Sequence, residues 1–175
     1  ETVRRRGGLD RGIGLIGLFI PEFKRIRHLS QFGYYHVETV DLHALSTVQI
    51  LHDISKGAFD DAWPRFGRAF GSLEHPRWLY LAGLIHDIGK GYRGDHARKG
   101  ARIVPRILER LGISEEGIRT VTFLVENHLL LVNTSQKRDL NDEKTSVQMA
   151  QAIQEVPLLD HLFLLTVADC FATGP

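Results

Sequence analysis

Leu79-Tyr-Leu-Ala-Gly-Leu-Ile-His-Asp-Ile-Gly-Lys90 is the stretch on which the reading of this chain turns. Its first seven residues carry no charge, and a run that apolar predicts a helix buried in the interior. The helix then delivers His86 and Asp87 to the same interior. A buried charge needs a partner, and a metal ion is the usual one for adjacent His and Asp. Working outward from this point, the question is whether other segments bring further ligands to the same place.

The neighbouring segments carry helical spacing. Asp41 to Ser55 places Leu42, Leu45, Val48 and Leu51 on one side of a helix. Ile118, Val121, Leu124, Val125 and Leu129 recur at three and four residues, as do Leu158, Leu162, Leu165 and Thr166. Asp95, Ser114 and Asp142 stand where N-caps belong. Pro64, Gly71 to Pro76 and Gly91 to Gly94 read as connections between helices. Strand-like alternation is confined to short ambiguous pieces, so the predicted fold class is all-α.

Candidate ligands fall on the inward faces of these helices. His43 shares a helix with Leu42 and Val48, and His96 opens one just after Gly94-Asp95. His128 follows Val125, Leu124 and Val121 by three, four and seven residues, and Asp169 follows Thr166, Leu165 and Leu162 in the same way. A lone histidine on an apolar face is ordinarily a hydrogen-bonded core residue. An aspartate near a helix C-terminus is disfavoured by the helix dipole and asks for nearby positive charge. Six such groups, His43, His86, Asp87, His96, His128 and Asp169, all turned inward, are better explained by a shared metal site.

Two other motifs are decoys. His52-Asp53 repeats the His-Asp dipeptide, but His52 lies nine residues after His43, and nine steps of about 100° put the two on opposite helix faces. It is read as a surface pair at a fraying helix end. Gly12-Ile-Gly-Leu-Ile-Gly17 matches a dinucleotide-binding fingerprint, which requires a preceding strand that Arg4 to Arg11 does not supply. Close helix packing through glycine is the expected role.

Composition narrows the class. The chain has 175 residues, 43% hydrophobic and 25% charged, enough for one domain with a real core and unlike a disordered chain. Lys plus Arg number 22 against 21 acidic residues, so no bulk charge draws it to nucleic acid or an acidic membrane surface. Arg4-Arg-Arg6 ahead of Ile13 to Ile20 faintly imitates a signal peptide, but Asp10 and Arg11 interrupt it and no cleavage site follows. With no spanning apolar run and the single Cys170, a cytoplasmic protein is expected. Nine histidines, roughly twice ordinary usage, are the outlying number. Both ends look cut, so residues 1–175 are expected to be one domain of a longer multidomain protein.

The order His43 … His86-Asp87 … Asp169 resembles the HD superfamily of metal-dependent phosphohydrolases, and His96 with His128 resembles its two-metal members. The likeness is closer still in Ile20-Pro-Glu-Phe23, Tyr35 to Leu45, His86 to Gly91, Gly94-Asp-His96, Leu124 to Leu129 and Leu165 to Asp169. These are similar to the HD domain of the bifunctional uridylyltransferase/uridylyl-removing enzymes, which modify the nitrogen-regulatory protein PII. Thr134 to Asp139 resembles that family's polar loop, and Ala172 to Pro175 the segment leading out of the domain. Glu38 stands where the family usually has an aromatic residue, and Gly89 where it has alanine.

The resemblance implies a single HD phosphohydrolase domain, a helical bundle with the metal site in its core. It implies release of UMP from a tyrosine of uridylylated PII. No Asp-x-Asp pair of nucleotidyltransferase type is present, so only the removing activity is expected here, with nucleotidyltransferase and glutamine-sensing domains elsewhere in a full-length chain. His43, His86, Asp87 and Asp169 are assigned to one ion, and His96, His128 and bridging Asp87 to the other. Two ions at such a site lower the pKa of water and clamp phosphoryl oxygens. The histidine-rich set suits Mn²⁺ first, with Mg²⁺ or Fe as alternatives. Asp87 and Lys90 are the catalytic candidates, Lys90 as a charge for a non-bridging oxygen. Lys137 and Arg138 are candidates for phosphate or partner binding, whereas Arg98 and Lys99 are read as solvent-facing. Alternative readings are an HD phosphohydrolase acting on free nucleotides and a non-catalytic metal-binding sensory module.

Overall fold

The structure, a computed structural model, describes residues 14–30, 38–139 and 142–173. A helical segment at 14–19 leads into a 3₁₀ helix, Pro21–Arg25, whose Phe23 is fully buried. Ser30 then pairs with Thr39 in an isolated antiparallel bridge. Among the described residues eight α-helices follow: α1 Val40–Ser55, α2 Pro64–Gly71, α3 Pro76–Ile85, α4 His96–Arg110, α5 Glu115–Asn127, α6 Leu130–Lys137, α7 Glu143–Ile153 and α8 Val156–Ala172. A second 3₁₀ helix, Ile88–Gly91, lies between α3 and α4. Among the described residues there is no strand, and the fold is all-α.

Local chemistry accounts for the helix starts. Asp95, Ser114 and Asp142 each cap a helix by accepting from a backbone N–H of its first turn. Pro64, expected in a connection, instead opens α2, where its missing N–H costs nothing and its fixed φ suits the first helical position. Thr134 to Lys137, expected as a polar loop, form the second half of α6. That helix persists because Leu130 and Leu131 pack on the core and α6 lies against α8, while Ser135, Gln136 and Lys137 turn to solvent. The loop begins only at Arg138.

The bundle is organised around α3. It packs on α1, α5 and α8, while α4 runs along α5 and covers the 3₁₀ turn that follows α3. Ile85, Ile88, Leu79, Leu51, Leu124 and Leu162 meet in the fully buried centre. In α1 the buried stripe is Val40, Ala44, Thr47, Leu51 and Ile54, with Asp41 and His43 beside it. The expected Leu42, Leu45 and Val48 are only half-buried. Hydrophobicity misplaced this face because α1 turns its polar ligand side inward. Neither Gly14 nor Gly17 is pressed against helix backbone: a Cβ at Gly14 would meet nothing, and one at Gly17 only the Lys24 side chain. Gly12 and Arg4 to Arg11 lie outside the described residues.

One glycine contact sets how closely the start of α4 approaches the site. A Cβ on Gly89 would strike the His96 carbonyl and stand 2.7 Å from the Gly100 nitrogen. The absence of a side chain at Gly89 lets the start of α4 close on the turn after Asp87, and at Gly100 it lets α4 close on Val125 of α5. His96 is thereby carried toward the His-Asp pair.

Candidate metal centre

α3 ends at Ile85, so His86 is its C-cap and Asp87 the first residue off it. His128 holds the same C-cap position at the end of α5. The two imidazoles are oriented alike: His86 Nδ1–H donates to the Gly83 carbonyl at 2.9 Å, and His128 Nδ1–H to the Val125 carbonyl at 2.8 Å. Each Nε2 is therefore left as the group facing the centre. Fixing one ring nitrogen on a carbonyl to aim the other is how metal-binding histidines are held. His43 comes from the first turns of α1, His96 from the first residue of α4, and Asp169 from the last turn of α8.

The six side chains converge. Two groups have ligand atoms close enough to hold an ion: His43, His86 and Asp169, and Asp87, His96 and His128. The rings form a row, with centroid separations of 5.3 Å for His43–His86, 5.2 Å for His86–His128 and 5.3 Å for His96–His128. Asp87 lies between the groups and divides its carboxylate. Oδ2 faces His86 Nε2 at 3.3 Å and His43 Nε2 at 3.8 Å, while Oδ1 faces His96 at 3.6 Å and His128 at 3.7 Å. Lys90 Nζ also reaches Asp87 Oδ2, at 2.6 Å.

Two atoms test whether an ion fits. His86 Nε2 and Asp87 Oδ1 are buried without a hydrogen-bond partner among the described residues. Such orphaned atoms are costly unless something unlike a neighbouring side chain satisfies them. A nitrogen lone pair and a carboxylate oxygen aimed into one space are the donors a divalent cation takes. The residues fit a metal.

Electrostatics tell the same story. Burial disfavours a charged His86, but the Asp87 and Asp169 carboxylates outweigh it and push the imidazole up to about 10. Burial opposes charge on Asp87 and Asp169 as well, yet the adjoining imidazoles, with Lys90 beside Asp87, hold both carboxyls well below their ordinary range. His128 goes the other way: burial, then the neighbouring His86 charge, lower it to about 4. His96 is lowered too, chiefly by burial.

The centre opens into a cavity of about 450 Å³ whose wall includes His43, Asp87, Lys90, His96, His128 and Asp169. Leu129, Val132, Gln136, Cys170 and Thr173 complete it. Sequence reasoning did not single out this second set. The available signal was Leu129, Val132 and Gln136 at three- and four-residue spacing directly after His128, but it was hidden by reading 134–139 as a loop. Lys137 and Arg138 do not line the cavity; Lys137 Nζ lies 3.3 Å from Asn133 Oδ1, and Arg138 bonds to Gln148 on α7. His52 is exposed, and Asp53 accepts a 2.9 Å hydrogen bond from Gln49, so that pair stays outside the centre. Arg98 and Lys99 are exposed. No helix among the described residues is long and apolar enough to cross a membrane.

A helical bundle with His and Asp from five of its helices and the turn after α3 gathered on one buried carboxylate defines a class. The chain belongs to the HD-domain family, whose model matches residues 40–174. Within that family it is similar to bifunctional uridylyltransferase/uridylyl-removing enzymes. The one from Rhodospirillum rubrum is 42% identical over 162 residues, 93% of this chain and 17% of the relative. The one from Cereibacter sphaeroides is 40% identical over 181 aligned residues, all of this chain and 20% of the relative. The one from Pseudomonas fluorescens is 36% identical over 93% of this chain and 18% of its own length. The chain thus spans about a fifth of the length of these relatives and corresponds to their HD region. Family and site together support a metal-dependent hydrolase.

Proposed function

We propose that this domain is a metal-dependent phosphodiesterase that releases UMP from a tyrosine of uridylylated PII. The observation that carries the hydrolytic reading is the divided carboxylate of Asp87, with one oxygen toward each ligand group. The uridylyl specificity is supported by the similarity to enzymes named for uridylyl removal. On this reading the domain works in the cytoplasm as part of a longer chain with nucleotidyltransferase and glutamine-sensing domains.

His43, His86, Asp169 and Asp87 Oδ2 would hold one divalent ion, and His96, His128 and Asp87 Oδ1 a second. Mn²⁺ suits the mixed imidazole and carboxylate set best, with Mg²⁺ or Fe as alternatives. When bound, such ions neutralise charge at phosphorus and lower the pKa of water, supplying a nucleophile at neutral pH. The chain's own residues do the rest. Asp87 sets the spacing between the two ligand groups, and the Gly83 and Val125 carbonyls keep the imidazoles aimed. Lys90, at the cavity wall beside Asp87, supplies an ammonium to a non-bridging phosphoryl oxygen. The leaving group is a tyrosine phenolate, whose conjugate acid has a pKa of about 10, so a strong general acid is not required. Lys137 and Arg138 lie outside the cavity, which favours a role toward the partner protein over one at the phosphate.

The test is UMP release from uridylylated PII by the Mn²⁺-loaded chain, beside a His86→Ala control. Release that disappears in the control supports hydrolysis, substrate and site together. No release from a chain shown to hold metal overturns the PII substrate and favours free nucleotides or a sensory module.

A further inference from the structure

The metal ligands account for only part of the cavity wall. The remainder is dominated by α6 and its N-cap: Leu129, Val132 and Gln136. Steps of three and four residues keep these on one helix face. The first two are aliphatic and half-buried; the third is an exposed amide that makes no hydrogen bond among the described residues. The face begins at the residue after His128, and seven residues of helix carry it about 10 Å farther. That is the reach from a phosphate seated among the ligands, across a ribose, to a base.

We propose that this face of α6 binds the nucleobase of the substrate and that Gln136 reads its edge. The inference rests on the uridylyl-ester reading above and adds the subsite that recognises the uridine end. Leu129 and Val132 offer a flat apolar surface to one side of the ring. The pairing edge of uracil presents a carbonyl, an N–H and a second carbonyl. The Gln136 amide carries one acceptor and one NH₂, so it can accept from the ring N–H while donating to an adjacent carbonyl. A phosphoester without a base would gain none of these contacts. Gln136 is thus a specificity residue acting away from phosphorus.

The experiment measures binding of UMP and of ribose 5-phosphate to the Mn²⁺-loaded domain by calorimetry, for wild type, Gln136→Ala and Gln136→Met. Wild type is expected to prefer UMP by more than about tenfold, the Gln136 amide supplying about five- to tenfold of it and the Leu129 and Val132 surface the rest. Both variants should lower that preference by about five- to tenfold and leave the share due to Leu129 and Val132, because Met keeps the length and loses only the amide. An exposed position changes stability little, and thermal melts will show that both variants remain folded. A wild-type preference that neither substitution lowers, or no preference in wild type, overturns the proposal. The uridylyl-PII assay is read separately. A Gln136-dependent preference without UMP release leaves the base site standing and removes the PII substrate. Release without such a preference does the reverse.

Discussion

His43 Nε2 and Asp169 Oδ1 lie 2.8 Å apart although 126 residues separate them in the chain. The contact joins the first turns of α1 to the last turn of α8 and closes the bundle over the His86-Asp87 pair. It also answers the misplaced charge at the end of α8, where an aspartate meets the negative end of the helix dipole. The imidazoles of His43 and His86 supply the compensation, and a cation would supply more.

His128 tests the two-ion arrangement. It faces Asp87 Oδ1, on the opposite side of that carboxylate from His43. His128→Ala should leave one ion per chain and lower hydrolysis by at least about 100-fold, since losing even a residue that orients a ligand costs about 10–100-fold. Metal content by mass spectrometry and UMP release check this. Two retained ions with full activity would remove His128 from the centre.

Stability of the metal-free protein should depend on pH through His86. Its folded-state pKa is raised from 6.5 to about 10, so the folded protein holds this proton more tightly than the unfolded chain. The stabilisation is full below 6.5 and is lost as pH rises toward 10. A bound ion takes the proton's position and cancels this dependence. Melting temperatures from about pH 7 to 9 should fall more steeply in chelator than in Mn²⁺. Parallel profiles would contradict the assignment.

Gly89 sets the closeness of α4. Gly89→Ala forces the His96 carbonyl to retreat from the turn, an overpacking that costs about 1–3 kcal/mol. Because the displaced residue is itself a candidate ligand, the second ion should bind more weakly than the first. Thermal melts and metal titration measure the two effects. Wild-type stability and stoichiometry would show that the turn yields freely.

Asp95 tests the same ligand from its other side. Its carboxylate accepts the Arg98 N–H at 3.2 Å and caps the helix that begins with His96. Asp95→Ala should cost about 1 kcal/mol in a denaturant titration. An unchanged midpoint would mean that α4 is held by packing on α5 alone.

Much of this was written locally. The apolar run ending at His86-Asp87, the three N-caps and the spacing of His128 and Asp169 against their neighbours are relations within one or two helical turns. They gave the all-α class and a ligand set whose members the fold brings together. The buried stripe of α1 was misread because its inward side carries Asp41, His43 and Thr47, so hydrophobicity pointed to the wrong flank. The helical state of 134–137 was missed because its polar residues resemble a loop until α6 is laid against α8.

By itself, then, the sequence determined where the three capped helices begin, which residue types could bind a cation and that they face inward, because short-range sterics, capping and periodicity govern those properties. Only the tertiary structure decided how Asp87 shares its two oxygens and that Gln136 rather than Lys137 or Arg138 meets the cavity. Those outcomes depend on how α1, α4, α5, α6 and α8 pack around one short turn, and side chains far apart in the chain acquire their distances only when that packing forms.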